Sequence, residues 1–222
     1  LWSKAYTKMC FANTLVGSYL FALQPLLYKQ SGGEILLNAY TLLAFGIGMI
    51  LIGPLNAYMV ERFRRNKIYL SGILMLLLLH LPFAYAHSTP MFVGIFLLQG
   101  IVFGAIQNAL GNTLVNDFLV SEKRTSGDNL FAWYGRLGVP IGWGIGIVAP
   151  TLFPKYYHIL ILLLFVLAFL QIATLTVPLK APVRTNRFSL DRFWRKNATP
   201  LVALTLLAAI IEGAFVSIGF EL

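Results

Sequence analysis

The residues of this chain that could do chemistry are mostly uncharged amides set inside long apolar segments. Five of them are predicted to line a substrate cavity, namely Asn13, Gln24, Gln99, Asn108 and Asn112. Polar groups at membrane depth must find a partner or water, so they face the inside of a helix bundle or a wet cavity. For any single amide the alternative is a structural bond to a neighbouring helix.

Among the charged side chains inside apolar segments, Arg136 and Glu212 could also do chemistry. Arg136 could bind an anionic group of a substrate, pair with Asp117, or extend its charge to the cytoplasmic interface. Glu212 is the deepest carboxylate, and a carboxyl group that exchanges a proton at that depth could couple transport to protons. A permanently neutral, hydrogen-bonded acid is the alternative for Glu212.

Metal binding and enzymatic chemistry find little support in the sequence. The chain has one cysteine, Cys10, and three histidines, His80, His87 and His158, which lie in separate segments. This spacing is not typical of a metal site. No nucleophile with a nearby base and no glycine-rich phosphate loop is recognisable, so neither an enzyme nor an ATP-driven pump is predicted, and no cofactor is expected. An intramembrane transferase would need clustered His, Asp or Glu at an interface.

The elements that must position these groups are membrane-spanning helices. Of the 222 residues, 58% are hydrophobic and 11% are charged, whereas a soluble domain carries roughly a quarter charged residues. Backbone groups in lipid must be satisfied within the segment, which favours helices. We therefore predict an all-α polytopic membrane protein, with apolar segments at 6–28, 35–60, 68–86, 91–120, 130–153, 157–179 and 200–222.

The domain organisation follows from these segments. Residues 1–179 are predicted to form a six-helix bundle, 180–199 a basic connector, and 200–222 a seventh helix that begins a second bundle. The chain does not start with methionine and is still apolar at its end, so we expect a fragment of a longer protein.

Basic residues are sorted to one side of the predicted membrane. All but Lys29, Lys155 and Arg136 lie near the N-terminus, between segments two and three, between four and five, or in the connector. Short loops obey the positive-inside rule, so the N-terminus and the connector are predicted to be cytoplasmic in a multi-pass cell-membrane protein. The formal charge of +9 then indicates contact with an anionic lipid leaflet and not with nucleic acid.

The segments differ in composition. The third and sixth are nearly pure hydrocarbon, as at 73–79 and 159–167, and are expected to face lipid. The first, second, fourth and fifth carry the glycines and amides and are expected to face inward. In the fourth segment Gly100, Gly104, Asn108 and Asn112 recur every four residues, which predicts one stripe and a candidate cavity wall.

Three short motifs resemble those of a known family. Residues 57–66 read AYMVERFRRN, where Glu61, Arg62 and Arg65 fit the family's loop signature between its second and third helices. Gln99-Gly100 fits the end of a fourth-helix motif, with Phe96 in place of its arginine, and residues 136–146 are rich in glycine as in its fifth helix. Over essentially its whole length the chain resembles the N-terminal half of a major facilitator superfamily transporter.

The resemblance implies a mechanism and a set of partners. Two helix bundles would rock about a central site, so the chain would need a second bundle from the same polypeptide or a second copy. Glu61, Arg62 and Arg65, with Asp117 as a plausible partner, would form a cytoplasmic latch, while positive-inside anchoring alone is the alternative. The expected substrate is a small solute, either sugar-like or an amphipathic drug or metabolite, with protons as the coupling ion. A non-transporting regulatory or assembly subunit is the alternative function.

Overall fold

A computed structural model describes residues 3–107, 119 and 121–173, together with 200, 203, 204, 207 and 211. Asn108, Asn112, Asp117 and Glu212 lie outside these residues, so their predicted roles stay predictions. The described part of the chain is helical and contains no strand, which confirms the all-α class. Its helices are α1 (Lys4–Gln30), α2 (Ile35–Arg62), α3 (Arg65–Ala84), α4 (Thr89–Gln107), α5 (Arg124–Leu152) and α6 (Tyr157–Ala173), with a short 3-10 helix at Ser121–Lys123.

Among the described residues, four helices are long and apolar enough to cross a membrane: Lys4–Gln30, Ile35–Asn56, Arg65–Ala84 and Thr89–Gln107. A shorter apolar stretch follows at Tyr157–Gln171. The predicted segments agree within a few residues with α1, α2 and α3 and with the starts of α4 and α6, while the predicted ends at 120 and 179 lie outside the described residues. In contrast, α5 begins at Arg124, six residues before the predicted start at 130. Hydropathy marks the start of the apolar part of a helix, and here the helix continues into the polar residues before it.

Local sequence explains how the first helix begins and ends. The Ser3 hydroxyl accepts a hydrogen bond from the Tyr6 backbone N–H at 3.2 Å, which caps α1. The turn into α2 uses Gly32 and Gly33 with φ of 70° and 92°, a conformation that favours glycine. The Ser31 N–H donates to the Leu27 carbonyl oxygen at 2.8 Å and closes the last turn.

The centre of the bundle is α1, which packs against α5 and α6, while α2 packs against α4, and α3 contacts α4 and α6. In the most apolar stretch of α1, 78% of residues are buried, against 33% in α2 and in α3. The prediction that the first helix faces inward is therefore confirmed. The same expectation stays a prediction for α2, which exposes Leu43, Ile50 and Leu51 as fully as α3 exposes its own leucines.

Glycines form the contact between α1 and α5. A Cβ atom at Gly142 would lie 2.4 Å from the Ser18 carbonyl oxygen, and one at Gly138 would lie 2.7 Å from the Ser18 nitrogen. Side chains of α1 also donate to α5 carbonyl oxygens, as Thr14 Oγ1 does to Tyr134 at 2.7 Å. Small residues and hydrogen bonds to backbone are the usual means by which membrane helices associate.

A second glycine contact joins α2 and α4. A Cβ atom at Gly100 would lie 2.1 Å from the Phe45 carbonyl oxygen, and one at Gly104 would lie 2.6 Å from Ile52 Cγ2. The Asn56 side-chain amide donates to the Gly104 carbonyl oxygen at 3.2 Å. The prediction of a cavity wall is therefore wrong for the two glycines of the fourth-segment stripe, because α2 fills the space in front of them.

The chain divides into two compact units, Leu1–Thr185 and Asn186–Leu222. The helices α1 to α6 belong to the first unit. In the second unit the described residues are helical, and Leu204, Leu207 and Ile211 are exposed. The predicted connector 180–199 lies outside the described residues.

A candidate transport cavity and a buried hydrogen-bonded chain

A cavity of about 180 Å³ lies between α1, α2 and α4. Seven of its nine lining residues are apolar, and Phe45 and Phe103 pack with their ring centroids 5.7 Å apart. The polar ones are the amides Gln24 and Gln99, which were both predicted to line a cavity. The lining residues are Leu20, Phe21, Leu23, Gln24, Leu42, Phe45, Phe96, Gln99 and Phe103.

Gln99 presents an unpaired acceptor in this cavity wall. Its side chain is fully buried, and its Nε2 donates to the Tyr19 hydroxyl at 3.3 Å. Its Oε1 is buried without a hydrogen-bond partner. Leaving a buried carbonyl oxygen unpaired costs about 1–3 kcal/mol, so this position suits a bound molecule that donates a hydrogen bond.

Gln24 is held in place by a hydrogen bond from α5. Its Oε1 accepts a hydrogen bond from Trp143 Nε1 of α5 at 3.4 Å, and its side chain is 7% exposed. Because Trp143 binds Oε1, the Nε2 group is the end of the Gln24 amide that can donate a hydrogen bond to a solute.

Asn13 links α1 to two neighbouring helices by hydrogen bonds. Its Nδ2 donates to the Phe131 carbonyl oxygen of α5 at 3.0 Å, and its Oδ1 accepts from Gln107 Nε2 of α4 at 3.4 Å. Its side chain lies 2.8 Å from the place where a Cβ atom at Gly135 would be. Both ends of this amide bind neighbouring helices, and Asn13 is not among the residues that line the cavity.

Arg136 and the predicted latch residues lie away from the cavity. Arg136 is exposed on α5, on a different side from the buried Gly138 and Gly142. Arg62 ends α2, and its guanidinium donates to the Tyr58 hydroxyl and lies 5.4 Å from the centre of that ring. Arg65 begins α3. The latch stays a prediction, since the side chain of Glu61 is not described and Asp117 lies outside the described residues.

Two histidines that seemed unrelated in the sequence meet in the structure. His80 of α3 is 1% exposed, and its Nε2 lies 3.2 Å from Nδ1 of His158 on α6. Its Nδ1 lies 3.2 Å from the Tyr19 hydroxyl of α1. Because Gln99 binds the same hydroxyl, the four side chains form one chain of hydrogen bonds from α6 to the cavity wall, buried except at the partly exposed His158.

The positions of the two histidines in the sequence are consistent with the His80–His158 contact. His80 lies one turn before the end of α3 and His158 is the second residue of α6, so both lie at the same end of the bundle. Helices three and six of the bundle pack against each other, and with that topology in hand their histidines become neighbours. Within the part of the chain that the structure describes, no group of three or more His, Cys, Asp or Glu residues could hold a metal ion.

Comparison with known proteins agrees with this architecture. The family model described as Major Facilitator Superfamily matches residues 9–221, which is nearly the whole chain. The search of curated proteins found no match to this chain. The match covers the six helices, the glycine contacts and the amide-lined cavity, and the chain belongs to the major facilitator superfamily, a family of membrane transporters.

Proposed function

We propose that this chain moves a small solute through the cavity between α1, α2 and α4 by alternating access, with protons as the coupling ion. The observation that carries the proposal is the buried Oε1 of Gln99, which has no partner in a cavity wall that is otherwise mainly apolar. Membrane transporters hold their substrates near the midplane between helix bundles. Gln99 is the eleventh residue of α4, about 15 Å from its start at a rise of about 1.5 Å per residue.

A second bundle, from the same polypeptide or from a second copy, would close this half-cavity. The exposed Arg136 on α5 supports such a partner or an aqueous path beside it, because a guanidinium in contact with lipid tails is costly. Arg136 would then face a substrate anion, a carboxylate of the second bundle, or the cytoplasmic interface.

The lining favours a neutral amphipathic solute over a sugar. Two amides can bond only a few groups, whereas a sugar presents many hydroxyls that would be left unpaired against phenylalanine rings. Phe45, Phe96 and Phe103 suit an aromatic or aliphatic body, and Gln99 suits one donor on it. No charged side chain is among the nine lining residues.

Uptake into proteoliposomes tests this proposal. Radiolabelled chloramphenicol, a neutral aromatic amphipath, is expected to accumulate under a pH gradient and radiolabelled glucose is not. Gln99→Met should abolish the accumulation, while Thr151→Val, on an exposed turn of α5, should leave it unchanged. Faster accumulation of glucose would contradict the substrate class. Failure of both solutes, with a stable protein partner on purification, would favour a non-transporting subunit.

The cytoplasmic latch belongs to the same proposal. Arg62→Glu is expected to lower the initial uptake rate about tenfold, because a bias of about 1.4 kcal/mol between two states changes their ratio tenfold. The amount of protein in the membrane should not change. The control is Lys67→Glu, which reverses a charge at the third residue of α3, close in sequence to Arg62. Equal uptake by the two variants would contradict a specific role for Arg62.

A further inference from the structure

We propose that His158, His80, Tyr19 and Gln99 form a proton relay between the cavity and the end of the bundle where α3 ends and α6 begins. The inference deepens the proposed transport function by naming a route for the coupling proton. It depends on three contacts, each of which joins side chains of different helices: Gln99 to Tyr19 at 3.3 Å, Tyr19 to His80 at 3.2 Å, and His80 to His158 at 3.2 Å.

One set of histidine tautomers gives the three contacts a consistent order of donors. An amide nitrogen only donates, so Gln99 donates to the Tyr19 oxygen, and the Tyr19 O–H is then directed to His80 Nδ1. A neutral imidazole has one N–H, which places the His80 proton on Nε2, where it donates to His158 Nδ1. His158 in turn carries its proton on Nε2. The order of donors therefore runs from the cavity to α6 without a conflict.

Such a chain can move one proton without storing charge. Gln99 lines the cavity and covers the Tyr19 hydroxyl, so a donor from the cavity, water or a solute N–H or O–H, must take the place of the Gln99 N–H at the Tyr19 oxygen. It then gives a proton to that oxygen as the Tyr19 proton passes to His80 Nδ1. The Nε2 proton of His80 passes to His158 Nδ1, and the Nε2 proton of His158 leaves to water. Four N–H or O–H bonds break and four form, and the cavity loses one proton.

Gln99 sets the direction of the next transfer. After one passage the Tyr19 O–H is directed to Gln99, so the amide must rotate to present Oε1 as an acceptor. In the structure this Oε1 is buried and has no hydrogen-bond partner. Only one end of the Gln99 amide can face Tyr19 at a time. If Nε2 and Oε1 face Tyr19 in turn, the Oε1 atom is left without a partner whenever Nε2 binds Tyr19.

The surroundings of the imidazoles suit this role. His80 and His158 face each other with ring centroids 5.2 Å apart, and Tyr19 from α1 and Tyr157 from α6 are the titratable groups whose rings contact them. Phe83 on α3 covers His80 at 5.6 Å, and Lys155 lies in the turn that leads into α6. A neutral imidazole accepts a hydrogen bond at one ring nitrogen and donates one from the other, which is the property that this relay requires.

Nuclear magnetic resonance of the full chain in lipid nanodiscs, labelled with ¹⁵N-histidine, tests the relay without a substrate. His87→Gln leaves only the two relay histidines. At mildly alkaline pH both are expected to be neutral with the proton on Nε2, and Tyr19→Phe, which removes one hydroxyl, should shift the His80 signal through loss of its Nδ1 donor. A proton on Nδ1 of one histidine and Nε2 of the other, or an unmoved His80 signal in Tyr19→Phe, would overturn the proposal.

A transport measurement separates this inference from the proposed function. In proteoliposomes, Tyr19→Phe should make chloramphenicol uptake equal with and without a pH gradient, while His87→Gln should keep the response of the native chain. A gradient response retained in Tyr19→Phe would overturn the relay and leave the transport function intact. If the native chain moves no chloramphenicol, the proposed substrate fails and the histidine spectra alone decide the relay.

Discussion

At the scale of single residues, amides of the same type do different work in this bundle. The sequence placed Asn13, Gln24 and Gln99 in apolar segments and predicted a common cavity. The two glutamines line the cavity between α1, α2 and α4, whereas Asn13 is not among its lining residues. Asn13 instead binds a carbonyl oxygen of α5 and the Gln107 amide. Which of the two roles an amide takes depends on what the neighbouring helix presents to it, and periodicity within one segment carries no such information.

Substitution separates the two roles. Asn13→Leu is expected to destabilise the bundle by about 1–2 kcal/mol, the range of hydrogen bonds between membrane helices. Gln99→Met should leave stability nearly unchanged, because the lost bond to Tyr19 is offset by removal of an unpaired buried oxygen. Thermal unfolding in detergent measures both. A larger loss of stability in Gln99→Met than in Asn13→Leu would show that these roles are assigned the wrong way round.

At the scale of helices, glycine content correctly predicted where helices approach one another, but not which glycine does so. In α5, Gly142 lies against the α1 backbone, whereas nothing lies within 4 Å of a Cβ atom at Gly144. In α2, Gly48 contacts α4 while Gly46 is open. A stripe of small residues defines a face of one helix, and the partner that occupies the face is a property of the packed bundle.

The pair in α5 gives a matched test. Gly142→Ala is expected to force α5 away from α1 and destabilise the bundle by about 1–3 kcal/mol, the usual cost of overpacking. Gly144→Ala adds the same methyl group to open space and should be neutral or stabilise slightly, since alanine favours helix. Midpoints of thermal unfolding compare the two variants. Similar midpoints would contradict close packing of α1 against α5.

At the scale of the whole molecule, composition was enough to predict a polytopic helical protein, and the resemblance to a transporter family was confirmed. The His80–His158 contact was not predicted, because it depends on the packing of α3 against α6. The predicted roles of Asn108, Asn112, Asp117 and Glu212 and the domain boundaries stay predictions.

Orientation is a prediction at this scale. The basic loops are expected to be cytoplasmic, which places His87 and Ser88 outside and Lys67 inside. With Cys10 replaced by alanine, Ser88→Cys should react with a membrane-impermeant maleimide in intact cells and Lys67→Cys only after permeabilisation. The reverse pattern would invert the assigned topology and the direction of the proposed relay.

Transport through this bundle requires a water-filled cavity between α1, α2 and α4, beside helix faces that contact lipid. Leu42 lines the cavity and is partly buried, whereas Leu78 on α3 is 48% exposed in the isolated bundle. Water-soluble thiol reagents test the claim most directly in a chain without Cys10. Leu42→Cys should be modified, with protection by chloramphenicol, and Leu78→Cys should not, because its larger exposure is to lipid. Modification of Leu78→Cys with no reaction at Leu42→Cys would contradict the account.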